Sequence, residues 1–318
     1  MNGSRHESHP SVSMLKKTVA VSVATIWTKP ESPRELDQII LIELPEIGKW
    51  AKEMSAEERL DLCTANRTQT QVLFGQELWV VREIDGWSEV RIPDQPTSKN
   101  SLGYPGWVPT SQLSEWIPVN VDRIVQVTAR KTLLTRDKAE TDSPLELSYM
   151  TLLPYVREVG EDIIVETPHG DGALPSRDVM IAQTSQMSVP VGGQEKGERI
   201  KQEALKFVQL PYLWGGLSAY GYDCSGFAYS MHASQGIRIP RDASDQAKAG
   251  INITRENLRS GDLLFFAYEE GKGRVHHVGI YIGEDRMIHS PDSNSCIEIV
   301  ELSSYKLQKE HSVSKRFT

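Results

Sequence analysis

The sequence predicts an α+β fold: two small all-β barrels followed by a C-terminal domain that mixes helices with an antiparallel sheet. Three observations carry this. Short, alternating, β-branched runs bounded by turn residues fill roughly the first 190 residues. A Gly-containing stretch, "VPVGGQEKG", then marks a boundary. Beyond about Glu195 helical patterns come first and strand candidates after, the order expected of an α+β domain.

Taken in order, residues 1–13 read as a polar, disordered leader and residues 14–118 as the first barrel. "TVAVSVATIW" alternates and reads as one half-buried strand. "PEIGKWAKEMSAEERLDLCTAN" has helical spacing and strong helix formers, a helical insertion in one long loop. In "TQVLFGQELWVVREIDGWSEVRI" the "IDGW" step joins two alternating runs as a hairpin. Residues 119–190 repeat this rhythm weakly, with turns at "GED" and "GDG", and form the second barrel. In residues 191–318, "GERIKQEALKFVQL" and "CSGFAYSMHASQGI" are helices, the second closed by Gly236. Strand candidates follow at "DLLFFAY", "VHHVGIYIG", "RMIHS" and "CIEIVEL".

Composition narrows the function. Hydrophobic content of 39% and charged content of 25% are ordinary for a soluble globular protein. A net charge of −8 argues against a nucleic-acid partner and, more weakly, against anchoring to anionic membranes or wall polymers. Three scattered cysteines give no disulfide framework and fit a reducing compartment. The run "MLKKTVAVSVATIW" is short, carries Ser and Thr, and lacks small residues suited to cleavage, so it reads as a strand and not a signal peptide. No run of eighteen apolar residues marks a membrane span. The expectation is a cytoplasmic monomer.

The chemistry concentrates after "YLWGGLSAYGYDCSGF". Asp223 sits where an N-cap belongs, which puts Cys224 in the first turn of a helix. The partial positive charge and free N–H groups there favour thiolate over thiol and can hold an oxyanion. In "HHVGIYIGEDRMIHS" a hairpin turns near Gly283–Asp285. Alternation places His277, Gly279 and Tyr281 on one, more polar face and Val278, Ile280 and Ile282 on the core face. His276 then points with the apolar set or outward. His289 reaches the His277 face from the next strand, where side chains lie within about 8 Å. Together these residues read as nucleophile, base and orienting partner. A zinc site built from one Cys and two His is the competing reading, but the ligands lack tight spacing, and no cofactor is expected. Cys63 and Cys296 read as core residues.

"YLWGG", "DCSGF", "PRDASDQ", "SGDLLFF", "HHVGIYIG" and "MIHS", in that order, resemble the NlpC-type bacterial cell-wall peptidases over about the last 120 residues. "DGWSEV" and "GYPGWVP" resemble the paired bacterial SH3-like domains of a YkfC-type subgroup. The resemblance implies a papain-like cysteine hydrolase of the γ-D-glutamyl bond in small muropeptides with a free N-terminal L-alanine, trimmed for recycling. It also implies roles: Cys224 as nucleophile, His277 as general base, His289 as third polar member and Tyr212 beside the oxyanion site. Trp214, Asp223 and Ser225 would line the D-glutamyl pocket. Asp242 and Tyr104 would take the free amine.

Plain readings stand beside these. Asp242 also suits an N-cap, Ser225 a helix start, Tyr212 and Trp214 a core, and Tyr104 a barrel rim. Two departures are visible: Ala243 where a small hydroxyl residue is expected, and Gln69 and Gln71 where a carboxylate would help bind an amine. Either change loosens the demand for a free L-alanine. A non-catalytic wall-binding protein and an amidase or acyltransferase on another amide are the alternative functions.

Overall fold

The computed structural model describes residues 14–119, 121–136, 144–184 and 193–317. The expected leader at 1–13 and the first half of the "VPVGGQEKG" boundary lie outside them.

The first sheet contains β1 (Leu15–Val19), β2 (Val23–Trp27), β3 (Thr68–Leu73), β4 (Glu77–Ile84), β5 (Trp87–Ile92), β6 (Tyr104–Pro109) and β7 (Leu113–Ser114). Its order is β3-β2-β6-β5-β4-β1-β7, and β1 to β6 all contribute to one core, with Val19, Ile26, Val72, Leu78, Val90 and Val108 buried. The stretch read as one strand over 18–27 is therefore two. The chain bends at 20–22 so that β1 pairs β4 and β7 while β2 pairs β3 and β6. Alternation reports burial on one face and is blind to a change of partner. The "IDGW" hairpin turns through Asp85 at φ 48 and Gly86 at φ 79, the left-handed pair a two-residue hairpin needs.

The helical insertion is two helices, α1 (Ile47–Glu53) and α2 (Ala56–Thr64), and not one. Ser55 breaks the run because it caps α2: its hydroxyl accepts from Glu58 N while the Glu58 carboxylate accepts from Ser55 N. Ile47, Trp50, Met54 and Leu62 bury against Leu213 and Tyr220, so the insertion backs the loop that precedes Cys224.

The second sheet contains β8 (Arg123–Val127), β9 (Lys131–Arg136), β10 (Leu145–Ser148), β11 (Leu152–Val159), β12 (Asp162–Val165), β13 (Gly172–Pro175) and β14 (Val179–Gln183). Its order, β10-β9-β13-β12-β11-β8-β14, repeats the first sheet strand for strand.

The remaining unit begins with α3 (Gly193–Leu205), which starts and stops about a turn earlier than its sequence pattern suggests. A short ladder, β15 (Leu217–Ser218) with β16 (Gly221–Tyr222), leads into α4 (Cys224–Ala233) and α5 (Ala243–Gln246). Six strands complete it: β17 (Ile251–Asn252), β18 (Leu263–Ala267), β19 (Val275–Gly283), β20 (Arg286–His289), β21 (Glu298–Glu301) and β22 (His311–Arg316), in the order β17-β22-β18-β19-β20-β21. "CIEIVEL" shortens to β21, because Leu302 opens a 3-10 turn and Cys296 makes only an isolated bridge to Pro211. One sheet face packs on α3 and α4 through Phe265, Val278, Ile280 and Ile288. The other carries a smaller cluster of Leu264, Phe266, Met287, Leu302 and Tyr305. Among the described residues no helix is long and apolar enough to cross a membrane.

Candidate active site

The site grows from the start of α4. Asp223 caps the helix, its carboxylate accepting from Gly226 N at 2.6 Å, which makes Cys224 the first helical residue. Gly226 is required there, since a Cβ would lie 2.3 Å from the Gly216 carbonyl. The same carboxylate receives Arg241 Nη1 at 3.0 Å and Nη2 at 2.7 Å and the Ser225 hydroxyl at 3.1 Å. Arg241 is 1% exposed and also donates to Ser225 Oγ and, across the unit boundary, to Thr70 Oγ1 at 2.9 Å. Asp223 and Ser225 are thus engaged with Arg241, and these bonds hold the helix start rigidly against the first barrel.

The thiol environment differs from the expectation at a helix start. Burial, and then the Asp223 charge, push the Cys224 thiol up to about 12, against the backbone N–H groups of Val278 and Ser225 and the Arg241 charge, which pull it down. The helix-end contribution is real but smaller than desolvation beside a carboxylate. The direction of this shift favours the thiol over the thiolate.

His277 and His289 sit 3% and 0% exposed, their Nε2 and Nδ1 atoms sharing a hydrogen bond of 2.8 Å. Ile280 faces Ile288 in the ladder, so His289 stands opposite Gly279 and diagonal to His277. Gly279 makes the room: a Cβ there would lie 2.6 Å from Met287 Sδ and 3.3 Å from His289 Cβ. His277 thus uses Nε2, and not Nδ1, to meet His289. Burial holds His277 well below its usual value, the neighbouring His289 adding to this, and burial lowers His289 to about 4. Burial thus disfavours the charged form of both rings.

The face that carries them is not polar, as alternation suggested, but roofed. Phe266 lies 5.9 Å from the His277 ring and Tyr305 5.2 Å from the His289 ring, centroid to centroid. The roof comes from Tyr305 and Leu302 in turns without periodic pattern, which sequence reading missed. Also missed is Glu298, whose carboxylate stands 3.5 Å from His289 Nε2, too poorly aligned for a hydrogen bond. His276 points elsewhere, bonded to Glu310 at 2.6 Å and stacked on Tyr268.

Tyr212 is 6% exposed, and burial followed by the Cys224 and Asp223 charges holds its phenol well above the usual range, so its hydroxyl stays protonated within electrostatic reach of the thiol. Trp214 is half-buried against the cluster formed with the insertion helices. Cys63, read as core, is half-buried on α2 and feels the Asp223 charge.

A second group forms where the first barrel meets α5. Asp242 opens α5, but its side chain makes no capping bond. Instead Tyr104 OH donates to its Oδ1 at 2.8 Å, and Lys99 Nζ lies 3.1 Å from its Oδ2. Tyr104 is 2% exposed and belongs to the barrel core as well as to this contact. Of the two glutamines, Gln69 faces this group, 3.1 Å from Lys99 Nζ, whereas Gln71 accepts from Leu217 N and Ser218 Oγ and joins the barrel to β15. Ala243 packs against the main core. Lys99 and Arg241 carry no sequence signal of their own, although Arg241 lies inside "PRDASDQ". Among the described residues no group of three or more His, Cys, Asp or Glu could hold a metal.

Comparison with known proteins fits this geometry. A model of the NlpC/P60 family matches residues 209–316, one of a YkfC SH3b2 domain 127–181, and one of a bacterial dipeptidyl-peptidase SH3 domain 64–113. The chain is 43% identical to a gamma-D-glutamyl-L-lysine dipeptidyl-peptidase of Bacillus subtilis, over 93% of this chain and 97% of that protein. The chain belongs to the NlpC/P60 family. A Bacillus cereus protein of the same name is 37% identical over 95% of this chain and 91% of its own length. The crystal structure of an NlpC/P60 family protein from Bacillus cereus superposes with a TM-score of 0.90 at 37% identity, covering 95% of this chain and 99% of that one. The fold is thus that of an NlpC/P60 domain preceded by two SH3-like domains.

Proposed function

We propose that the protein is a cysteine endopeptidase that hydrolyses the γ-D-glutamyl-L-diamino-acid bond of free peptidoglycan stem peptides, L-Ala-γ-D-Glu-diamino acid. The observation that carries this reading is the buried His277–His289 hydrogen bond on the strand whose Val278 N–H reaches Cys224. The two Bacillus relatives whose names specify a γ-D-glutamyl-L-lysine bond support it.

Cys224 Sγ attacks the γ-carbonyl carbon of the D-glutamyl unit while its proton passes to His277 Nδ1. His289 keeps the imidazole in the tautomer that can accept it. The carbonyl oxygen becomes an oxyanion near the α4 start, where backbone N–H groups and the protonated Tyr212 hydroxyl lie. The tetrahedral adduct collapses, the C–N bond breaks, and His277 returns its proton to the departing amine of the diamino acid. Water, deprotonated by His277, then cleaves the thioester, releasing L-Ala-D-Glu and restoring the thiol.

The far end gives the length limit. Tyr104 and Asp242 close the cleft where a free L-alanine amine would sit, Trp214 forms the loop side, and Asp223 and Ser225 fix the pocket beneath the D-glutamyl unit. A wall there rejects peptides whose alanine is acylated by glycan, which is specificity by exclusion. In this reading the chain divides at 14–118, 119–190 and 191–318, acts as a cytoplasmic monomer without a cofactor, and serves muropeptide recycling. Mass spectrometry of L-Ala-γ-D-Glu-L-Lys after incubation should show L-Ala-D-Glu. Cys224→Ala should lower turnover on the order of 10⁴-fold or more. Absence of product with the unmodified protein, or turnover retained in Cys224→Ala, overturns the reading.

A further inference from the structure

The group at the cleft's closed end contains an ammonium already. Lys99 Nζ lies 3.1 Å from Asp242 Oδ2 and 3.1 Å from Gln69 Oε1, bonds the Tyr104 hydroxyl, and stands 4.2 Å from the Tyr104 ring centroid. A lysine head has three N–H donors, and three acceptors converge on it. The Asp242 carboxylate is the one negative charge among those acceptors, and Lys99 balances it.

The backbone that presents Lys99 is fixed. Residues 93–103 of the first barrel are tied to the peptidase unit by Arg241 N to the Pro96 carbonyl at 2.9 Å, Ser98 N to Asp245 Oδ2 at 2.7 Å, and the Tyr229 hydroxyl to the Asp94 carbonyl at 2.6 Å. The Lys99 side chain, by contrast, is 41% exposed, against 25% for Asp242. A pinned base and a solvent-facing, flexible stem are what a displaceable occupant needs.

We propose that Lys99 fills the subsite for the substrate's amino group in the free enzyme and must be displaced by it, so that Lys99 sets how strongly a free amino end is preferred over an acylated one. This rests on the reading that Asp242 and Tyr104 take the amine. A peptide with a free amine brings a second cation to a site with one compensating charge, because Gln69 is neutral. An acylated peptide brings no charge and does not compete for Asp242. Lys99 therefore weakens selection for the free amine, and the neutral Gln69 leaves that loss uncorrected.

The test measures kcat and KM for L-Ala-γ-D-Glu-L-Lys and its N-acetyl form with the unmodified enzyme, Lys99→Met and Gln69→Glu. Lys99→Met should lower KM for the free-amine peptide about fivefold, the scale of an exposed ion pair with added hydrogen bonds, without a matching change for the acetylated one. Gln69→Glu should lower the same KM with Lys99 in place, since two carboxylates can then hold two ammonium groups. If the unmodified enzyme cleaves but KM for the free-amine peptide is unchanged or raised in Lys99→Met, the inference is overturned and the activity stands. If the unmodified enzyme cleaves neither peptide, the activity reading falls and takes the inference with it. Thermal melts of both variants exclude misfolding as the cause.

Discussion

The two barrels are one topology used twice, with unequal consequences. Their strand orders correspond one for one, and in each a Gly-x-hydrophobic-Pro segment (Gly106–Pro109 and Gly172–Pro175) runs into a 3-10 turn. Counting back from those prolines sets Tyr104 against Gly170. Where the first barrel places a buried phenol on Asp242, the second has no side chain, and a Cβ added there would meet nothing within 4 Å. The connecting loops diverge likewise. Residues 93–103 bring Lys99 to Asp242, while the matching loop of the second barrel, 166–171, is shorter, and the first barrel alone among the described residues carries two helices, in its excursion at 28–67. The second barrel touches the peptidase unit from behind: Tyr149 OH to Glu203, Ser148 Oγ to Ala219 N and Glu146 to the Tyr220 hydroxyl. Among the described residues, the loops that meet Asp242 and Asp245 belong to the first barrel, in keeping with loops carrying the differences on a shared scaffold.

This contrast can be broken experimentally. The largest effect is expected at the joint between the first barrel and the site. Arg241→Met strands Asp223 buried beside the thiol, and should cost about 3–5 kcal/mol in denaturant unfolding, with activity lost alongside. An equally large effect from a joint of the second barrel would erase the distinction. Acid should act next, and through the peptidase unit. His232 and His289 are held by burial at about 4, and His277 is lowered too, whereas the unfolded chain protonates near 6.5. The unfolded state then binds more protons, so this stability is full above pH 6.5 and is lost as pH falls toward 4, by about 1.4 kcal/mol per unit for each histidine. Melting followed at pH 7.5 and 5.0 should show the loss; a flat profile contradicts it. Tyr104→Phe should lower kcat/KM for the free-amine tripeptide about tenfold, with little change in melting temperature. The matching test on a joint of the second barrel, Tyr149→Phe, removes a hydroxyl bonded to Glu203 at 2.7 Å, and should cost about 1 kcal/mol of stability while leaving kcat/KM within twofold. If Tyr149→Phe lowered kcat/KM and Tyr104→Phe did not, the assignment of the two barrels would be reversed.

Much of the site was legible because its signals are local. Asp223 before Cys224 marks a helix start within four residues, and the pairing of His277 with His289 follows from alternation across one tight hairpin. Motifs single out Tyr104 and Asp242, but the contact between them joins residues 138 apart, and nothing in either segment announces the other. Lys99 and Arg241 were missed for that reason: an exposed-loop lysine and a motif arginine have ordinary sequence surroundings, and only docking gives them partners. The face carrying the histidines was misjudged because its cover, Leu302 and Tyr305, comes from irregular chain. The thiol was misjudged because a helix start is a local feature and desolvation is not.

The Thr70–Arg241 hydrogen bond spans 171 residues of chain. In kinetic terms, contacts of such separation close late, after local hairpins and helices have formed, because the chain between them must first lose its freedom. The far wall of the cleft, made by the same docking, is expected to form as late, and recovery of activity lagging behind helix and strand signals on refolding would show it. A chain with both barrels folded and α4 already wound still lacks its far wall. Peptidase activity is then expected only from the docked molecule.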